Sequence, residues 1–136
     1  MRRYILDPNA LSDFINHRNG LDVHVRTVRA RGDRVGTCVP VIGELLYGVE
    51  LSATRDENLK RVRAGLTRVT IWPYTREAGE EFGRLRAALR RIGRPMQIVD
   101  VMLAAIALSL GNCTVVTTDS DLTAVPGLSV ENWATP

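Results

Sequence analysis

Five short runs rich in apolar and β-branched residues, Arg3 to Leu6, Arg34 to Val39, Val69 to Trp72, Cys113 to Thr117 and Leu128 to Glu131, are separated by stretches of helical character. This alternation constrains the chain more than any other feature. A strand followed by a helix and then another strand closes economically only as a parallel sheet with helices on its faces. The expectation is an α/β fold, a three-layer α/β/α sandwich with a central, mainly parallel sheet. Its helices are expected over Leu11 to His17, after an Asp7-Pro8-Asn9 turn, over Gly20 to Arg31, and from Pro40 to Leu51. Others are expected over Arg55 to Leu66, from Thr75 to Arg91, and over Val99 to Leu110. The Thr75 helix has Glu77, Glu80 and Glu81 near its positive end and Arg90 and Arg91 near its negative end, as the helix dipole favours. Val99 to Leu110 is apolar on every face, which marks a buried helix, and Gly111-Asn112 ends it.

The 136 residues hold no repeat, linker or low-complexity segment, so one domain over residues 1–136 is expected. The longest strongly apolar run, Val101 to Leu110, falls far short of the roughly 20 residues a membrane-spanning helix needs. Met1 to Leu6 lacks the apolar stretch of a signal peptide, and a cytoplasmic location without membrane contact is expected. Cys38 and Cys113 lie inside β-branched runs and are expected as buried free thiols. The formal charge is +3, and every cation except Lys60 is an arginine. That balance permits a nucleic-acid substrate without requiring one.

In a parallel sheet the ligand crevice lies beyond the carboxyl ends of the strands, and this sorts the acids. Asp7 follows the first strand directly, and Asp119 follows the strand Cys113 to Thr117. Asp100 falls in the first turn of the buried helix, whose amino end points to the same edge because its next strand starts from the opposite one. Glu44 lies one turn into the helix after the second strand, and Asp121 follows Asp119 closely. Acids from distant parts of the chain thus face one pocket, where their repulsion calls for a divalent cation. Oxygen-only ligands suit Mg²⁺ or Mn²⁺, and the chemistry implied is phosphodiester hydrolysis. Each acid also has an ordinary reading: turn or cap for Asp7, Asp119 and Asp121, helix cap for Asp100, solvated stripe for Glu44. His17 and His24 fall in the early helices, away from this edge, which disfavours a histidine-driven mechanism.

These residues resemble the PIN-domain nucleases, specifically the VapC toxins. The resemblance runs through Tyr4-Ile5-Leu6-Asp7-Pro8-Asn9, Gly43-Glu44-Leu45-Leu46-Tyr47-Gly48, and Gly93-Arg94-Pro95 leading to Asp100 with Ala104-Ala105. It continues in Val116-Thr117-Thr118-Asp119-Ser120-Asp121, Val125-Pro126-Gly127-Leu128 and Glu131-Asn132-Trp133. It implies a Mg²⁺-dependent endoribonuclease toxin that homodimerises and is held inactive by a VapB-type antitoxin. The family's acidic metal site maps onto Asp7, Glu44, Asp100 and Asp119, with Asp121 as an additional or substitute acid. Asn9 and Thr117 or Thr118 match polar positions that support such a site. Pro8 stands where the family usually has Thr or Ser, removing a hydroxyl and an N–H beside the first acid, an expected weakening of its positioning.

RNA as substrate follows from the resemblance, since no aromatic stacking run is present. Trp72, Phe82 and Trp133 read as core or interface. Phosphate contacts would fall to Arg84, Arg86, Arg90, Arg91 and Arg94. Two other classes compete. An aspartate-based phosphatase or phosphoacceptor needs a crevice lysine and a second acid after the first strand, but Lys60 lies in a helix and position 9 is Asn. A non-catalytic RNA-binding or interaction module on the same fold would be favoured by loss of a site acid, and all four are present.

Overall fold

β1 (Arg3–Leu6) is the central strand of a five-stranded sheet in which every pairing is parallel. In this computed structural model, which describes residues 1–135, Tyr4 lies opposite Val35 on one side and Thr114 on the other. Pro136, the last residue of the expected domain, lies outside the described residues. The chain leaves β1 through α1 (Pro8–Ile15) and α2 (Leu21–Ala30) to β2 (Arg34–Cys38), then through α3 (Val39–Leu51) and α4 (Arg55–Leu66) to β3 (Thr70–Trp72). It returns through α5 (Arg76–Arg91) and α6 (Ile98–Leu110) to β4 (Cys113–Val116) on the other side of β1. One 3₁₀ helix, Ser120–Ala124, then leads to β5 (Ser129–Glu131). The order β3-β2-β1-β4-β5 is the three-layer α/β/α sandwich expected from the alternation.

That order places a topological switch point between β1 and β4. The chain leaves their carboxyl ends in opposite directions, which opens a crevice there. Tyr4, Ile5 and Leu6 of β1 and Thr114, Val115 and Val116 of β4 are all buried, as strands covered on both faces must be. Trp133 is buried against Tyr4, with ring centroids 4.9 Å apart, and stacks on His24 at 4.4 Å. Both cysteines are free, Cys38 buried and Cys113 half-buried. Among the described residues no helix is long and apolar enough to cross a membrane.

Two segments differ in kind from their expected form. Asp7-Pro8-Asn9 is no separate turn: α1 begins at Pro8, three residues before the expected start, with Asp7 as its cap. Proline fits the first helical position because its φ is preset and the N–H it lacks has no partner there. The loop after β4 also tightens, from an expected turn at Asp119 into the 3₁₀ helix, which Asp119 caps.

Candidate active site

Asp7 is 4% exposed, and a carboxylate so buried has to find donors within the protein. Two reach it. The Ala10 amide donates to Oδ1 at 2.8 Å, and the Thr117 hydroxyl donates to Oδ2 at 2.5 Å. The first bond is the N-cap of α1, so one side chain both starts the helix and faces the crevice. Burial pushes the Asp7 carboxyl above the usual aspartate value, and the two hydrogen bonds oppose that shift. Both hydrogen bonds to the Asp7 side chain come from Ala10 and Thr117, and neither involves residue 8.

The Thr117 hydroxyl also accepts from the Asp119 amide at 2.9 Å, tying the loop after β4 to the end of β1. Asp119 in turn accepts from the Asp121 amide at 2.9 Å. A short chain of hydrogen bonds therefore runs from α1 through Asp7 and Thr117 to the 3₁₀ helix. Thr118 is exposed and takes no part in it, so Thr117 is the threonine that touches the cluster. Asp100 sits half-buried in the first turn of α6. Its carboxyl is pushed up to about 6, by burial first and then by the charges of Asp119, Asp7, Asp121 and Glu44. The other four acids therefore all lie near enough to raise the Asp100 carboxyl.

Asp7, Glu44, Asp100, Asp119 and Asp121 line one cleft of about 380 Å³, together with Pro8, Asn9, Pro95, Met96 and Gln97. No lysine, arginine or histidine is part of that lining. None of the five acids is in an ion pair among the described residues. A donor set of five anionic oxygen groups without a cation fits a hard divalent metal ion. Among the described residues no three such groups are drawn into a ready-made cage. His17 and His24 lie elsewhere, His17 paired to Asp22 and His24 stacked on Trp133.

The sequence reading missed Pro95, Met96 and Gln97 as cleft walls. Gln97 stands at the N-cap position of α6 without a side-chain capping bond, and its place directly before the buried helix was the available signal. Of the arginines named for phosphate contact, Arg84 is paired to Glu81, whereas Arg86, Arg90 and Arg94 line depressions that meet the acid cleft at Pro95 and Met96.

Residues 4–128 match the PIN domain model, and the chain belongs to the PIN domain family. Within that family it is of the VapC type. It is 30% identical over 135 residues to the tRNA(fMet)-specific endonuclease VapC of Salmonella typhimurium, covering 98% of this chain and 99% of that protein. Its fold is similar to that of DNA-bound VapBC from Salmonella typhimurium, with a TM-score of 0.89 and 29% identity over 98% of this chain and 100% of the other. It is equally similar to VapBC2 from Rickettsia felis bound to a DNA fragment from its promoter, with a TM-score of 0.89 and 26% identity over 96% and 98%. PIN nucleases are in general dependent on divalent metal.

Proposed function

We propose that this protein is the toxin of a type II toxin-antitoxin pair, a single-domain endoribonuclease that hydrolyses RNA phosphodiester bonds with Mg²⁺ or Mn²⁺. The observation that carries the reading is one cleft lined by five carboxylates and by no basic side chain. An assembly so repulsive lowers stability, and a cation together with a phosphate substrate repays that cost. The relatives named as VapC nucleases, and the VapBC complexes among the similar structures, support the assignment. The natural partner is a VapB-type antitoxin, and the chain works in the cytoplasm as a homodimer.

Asp7, Glu44, Asp100 and Asp119 would hold the metal, with Asp121 as the fifth oxygen donor. Once bound, the ion supplies positive charge where phosphoryl oxygens gain negative charge. The protein contributes orientation. Thr117 and the Ala10 amide fix both oxygens of Asp7. Asp119 is held in turn by its backbone amide donating to the Thr117 hydroxyl and by its side chain capping the 3₁₀ helix. Asn9 stands exposed on the cleft wall, where its amide is free to meet a ribose or phosphate oxygen.

The test is expression in a bacterial host with and without the partner antitoxin, with Asp7→Ala as control, followed by cleavage of purified RNA in Mg²⁺. Wild type is expected to arrest growth and cut RNA, while Asp7→Ala and Asp100→Ala lose at least about 100-fold in rate and stay folded. Equal growth arrest by wild type and Asp7→Ala defeats the nuclease reading.

A further inference from the structure

Beside the acid cleft runs a larger groove of about 680 Å³, lined by Gly83, Arg86, Ala87, Arg90, Pro95 and Met96. Pro95 and Met96 are walls of both depressions, so the two adjoin across these residues. Along α5 the lining residues fall at i, i+3, i+4 and i+7, one stripe of a helix. The stripe alternates two features. Gly83 and Ala87 leave the helix surface low, and a Cβ built on Gly83 meets nothing within 4 Å. Arg86 and Arg90, one turn apart, border them along one side of the helix.

Two like charges at i and i+4 repel, and no carboxylate compensates them. The amino-terminal part of α5 behaves differently, since Arg76 pairs with Glu80 and Arg84 with Glu81. Neither Arg86 nor Arg90 is in an ion pair among the described residues. The helix dipole accounts for a cation at Arg90 in the last turn, but not for Arg86 a turn earlier. The groove thus combines a small-residue floor, the apolar edges of Pro95 and Met96, and two guanidinium groups without a carboxylate partner among the described residues, that of Arg86 lying over the Phe82 ring at 5.8 Å. That is the chemistry of single-stranded RNA, whose bases rest on apolar or guanidinium planes while its phosphates take cations. The volume is within the roughly 300–1,000 Å³ of sites for molecules of nucleotide size.

We infer that the groove along Gly83, Arg86, Ala87 and Arg90 seats the nucleotide flanking the scissile linkage, the two arginines holding its phosphates and the Pro95-Met96 ridge dividing it from the acid cleft. This inference rests on the ribonuclease reading for the identity of the acid cleft, but RNA binding can be measured without cleavage.

The experiment uses a fluorescein-labelled single-stranded RNA decamer, titrated with full-length protein in EDTA and read by anisotropy at several salt concentrations. Arg86→Ala/Arg90→Ala is compared with Arg26→Ala/Arg63→Ala, which removes the same charge from α2 and α4. Gly83→Gln fills the groove and leaves every charge in place. The arginine pair variant is expected to weaken binding at least tenfold and to reduce the salt slope by about 1.4, at roughly 0.7 per phosphate contact on a single strand. Gly83→Gln is expected to weaken binding similarly while melting no lower than wild type. In Mg²⁺ both variants raise KM with kcat within about twofold. Equal affinity and slope in the two double variants overturns the inference. So does an Arg86→Ala/Arg90→Ala protein that binds RNA normally and loses its antitoxin, since the groove then belongs to that protein partner. If wild type binds the decamer through the groove but never cuts RNA, the nuclease reading fails and the groove assignment stands.

Discussion

Four other carboxylates act on the side chain of Asp100, and the consequence is readable in stability as well as in activity. Its folded value of about 6 lies above the ordinary 3.8, so between those limits the folded protein binds more protons than the unfolded chain. Stability therefore falls as pH rises from about 4 to about 6, and the loss is complete above that. Asp100→Asn removes the charge, so in chelator at pH 7.5 it should melt above wild type. The gain is about 1 kcal/mol, after allowing for solvent screening of a half-exposed carboxyl, and it should vanish near pH 4. Melting curves at the two pH values check the sign. A variant less stable than wild type at pH 7.5 would mean that Asp100 is held by attraction. Thr117 makes the complementary case, because it holds an acid without being one. Thr117→Val keeps the shape but leaves Oδ2 of Asp7 without its donor, and cleavage should fall about 10–100-fold. Thr117→Ser should restore most of it, and failure of that rescue would assign the loss to packing instead.

At the scale of elements, two glycines of equal rank in the sequence do opposite work. A Cβ on Gly36 in β2 would stand 2.3 Å from the Thr70 carbonyl oxygen of β3, so that pair of strands depends on the missing side chain. Gly79 in α5 has open space around it and only costs the helix entropy. Gly36→Ala should destabilise by about 1–3 kcal/mol or prevent folding, whereas Gly79→Ala should stabilise by about 0.5–1 kcal/mol. Denaturant midpoints measure both, and equal effects would show that strand spacing is not what fixes Gly36. Neither environment is visible in sequence, because both depend on what lies across a strand pair or beyond a helix face. What sequence does carry is local. Thr75 capping α5 and the apolar span of α6 were legible because cap, dipole and periodicity agree within one segment. The start of α1 was not, since Asp7-Pro8-Asn9 is equally good turn chemistry and good helix-start chemistry. The choice is made by β1, which delivers Asp7 with extended backbone (ψ 175°) and its Oδ1 at the Ala10 amide. The acids were legible by their place after strands and in first turns. The α5 groove was not, because it exists only where the loop of Pro95 and Met96 folds back over the helix.

For the whole molecule, the acid cleft is a device that only the folded chain possesses. Asp7, Glu44, Asp100 and Asp119 come from segments separated by 37, 56 and 19 residues, so the unfolded chain holds no such cluster. A cation bound by them stabilises the native state alone and raises the melting temperature by mass action. The gain is about 2.7 kcal/mol at a hundredfold excess over Kd. Titration with MgCl₂ or MnCl₂ should therefore raise Tm of wild type progressively, and NaCl at matched ionic strength should not reproduce the rise. The cation and the proton compete for the same oxygens, so saturating metal should also flatten the loss of stability between pH 4 and 6. Asp7→Asn and Asp100→Asn should each shrink the metal-dependent rise, whereas Glu57→Gln, an exposed acid in the first turn of α4 that does not line the cleft, should leave it whole. A rise that survives in both aspartate variants would move the metal away from this cleft. A rise that NaCl matches would reduce it to general screening, and the cluster would then be a repulsive surface without a cation of its own.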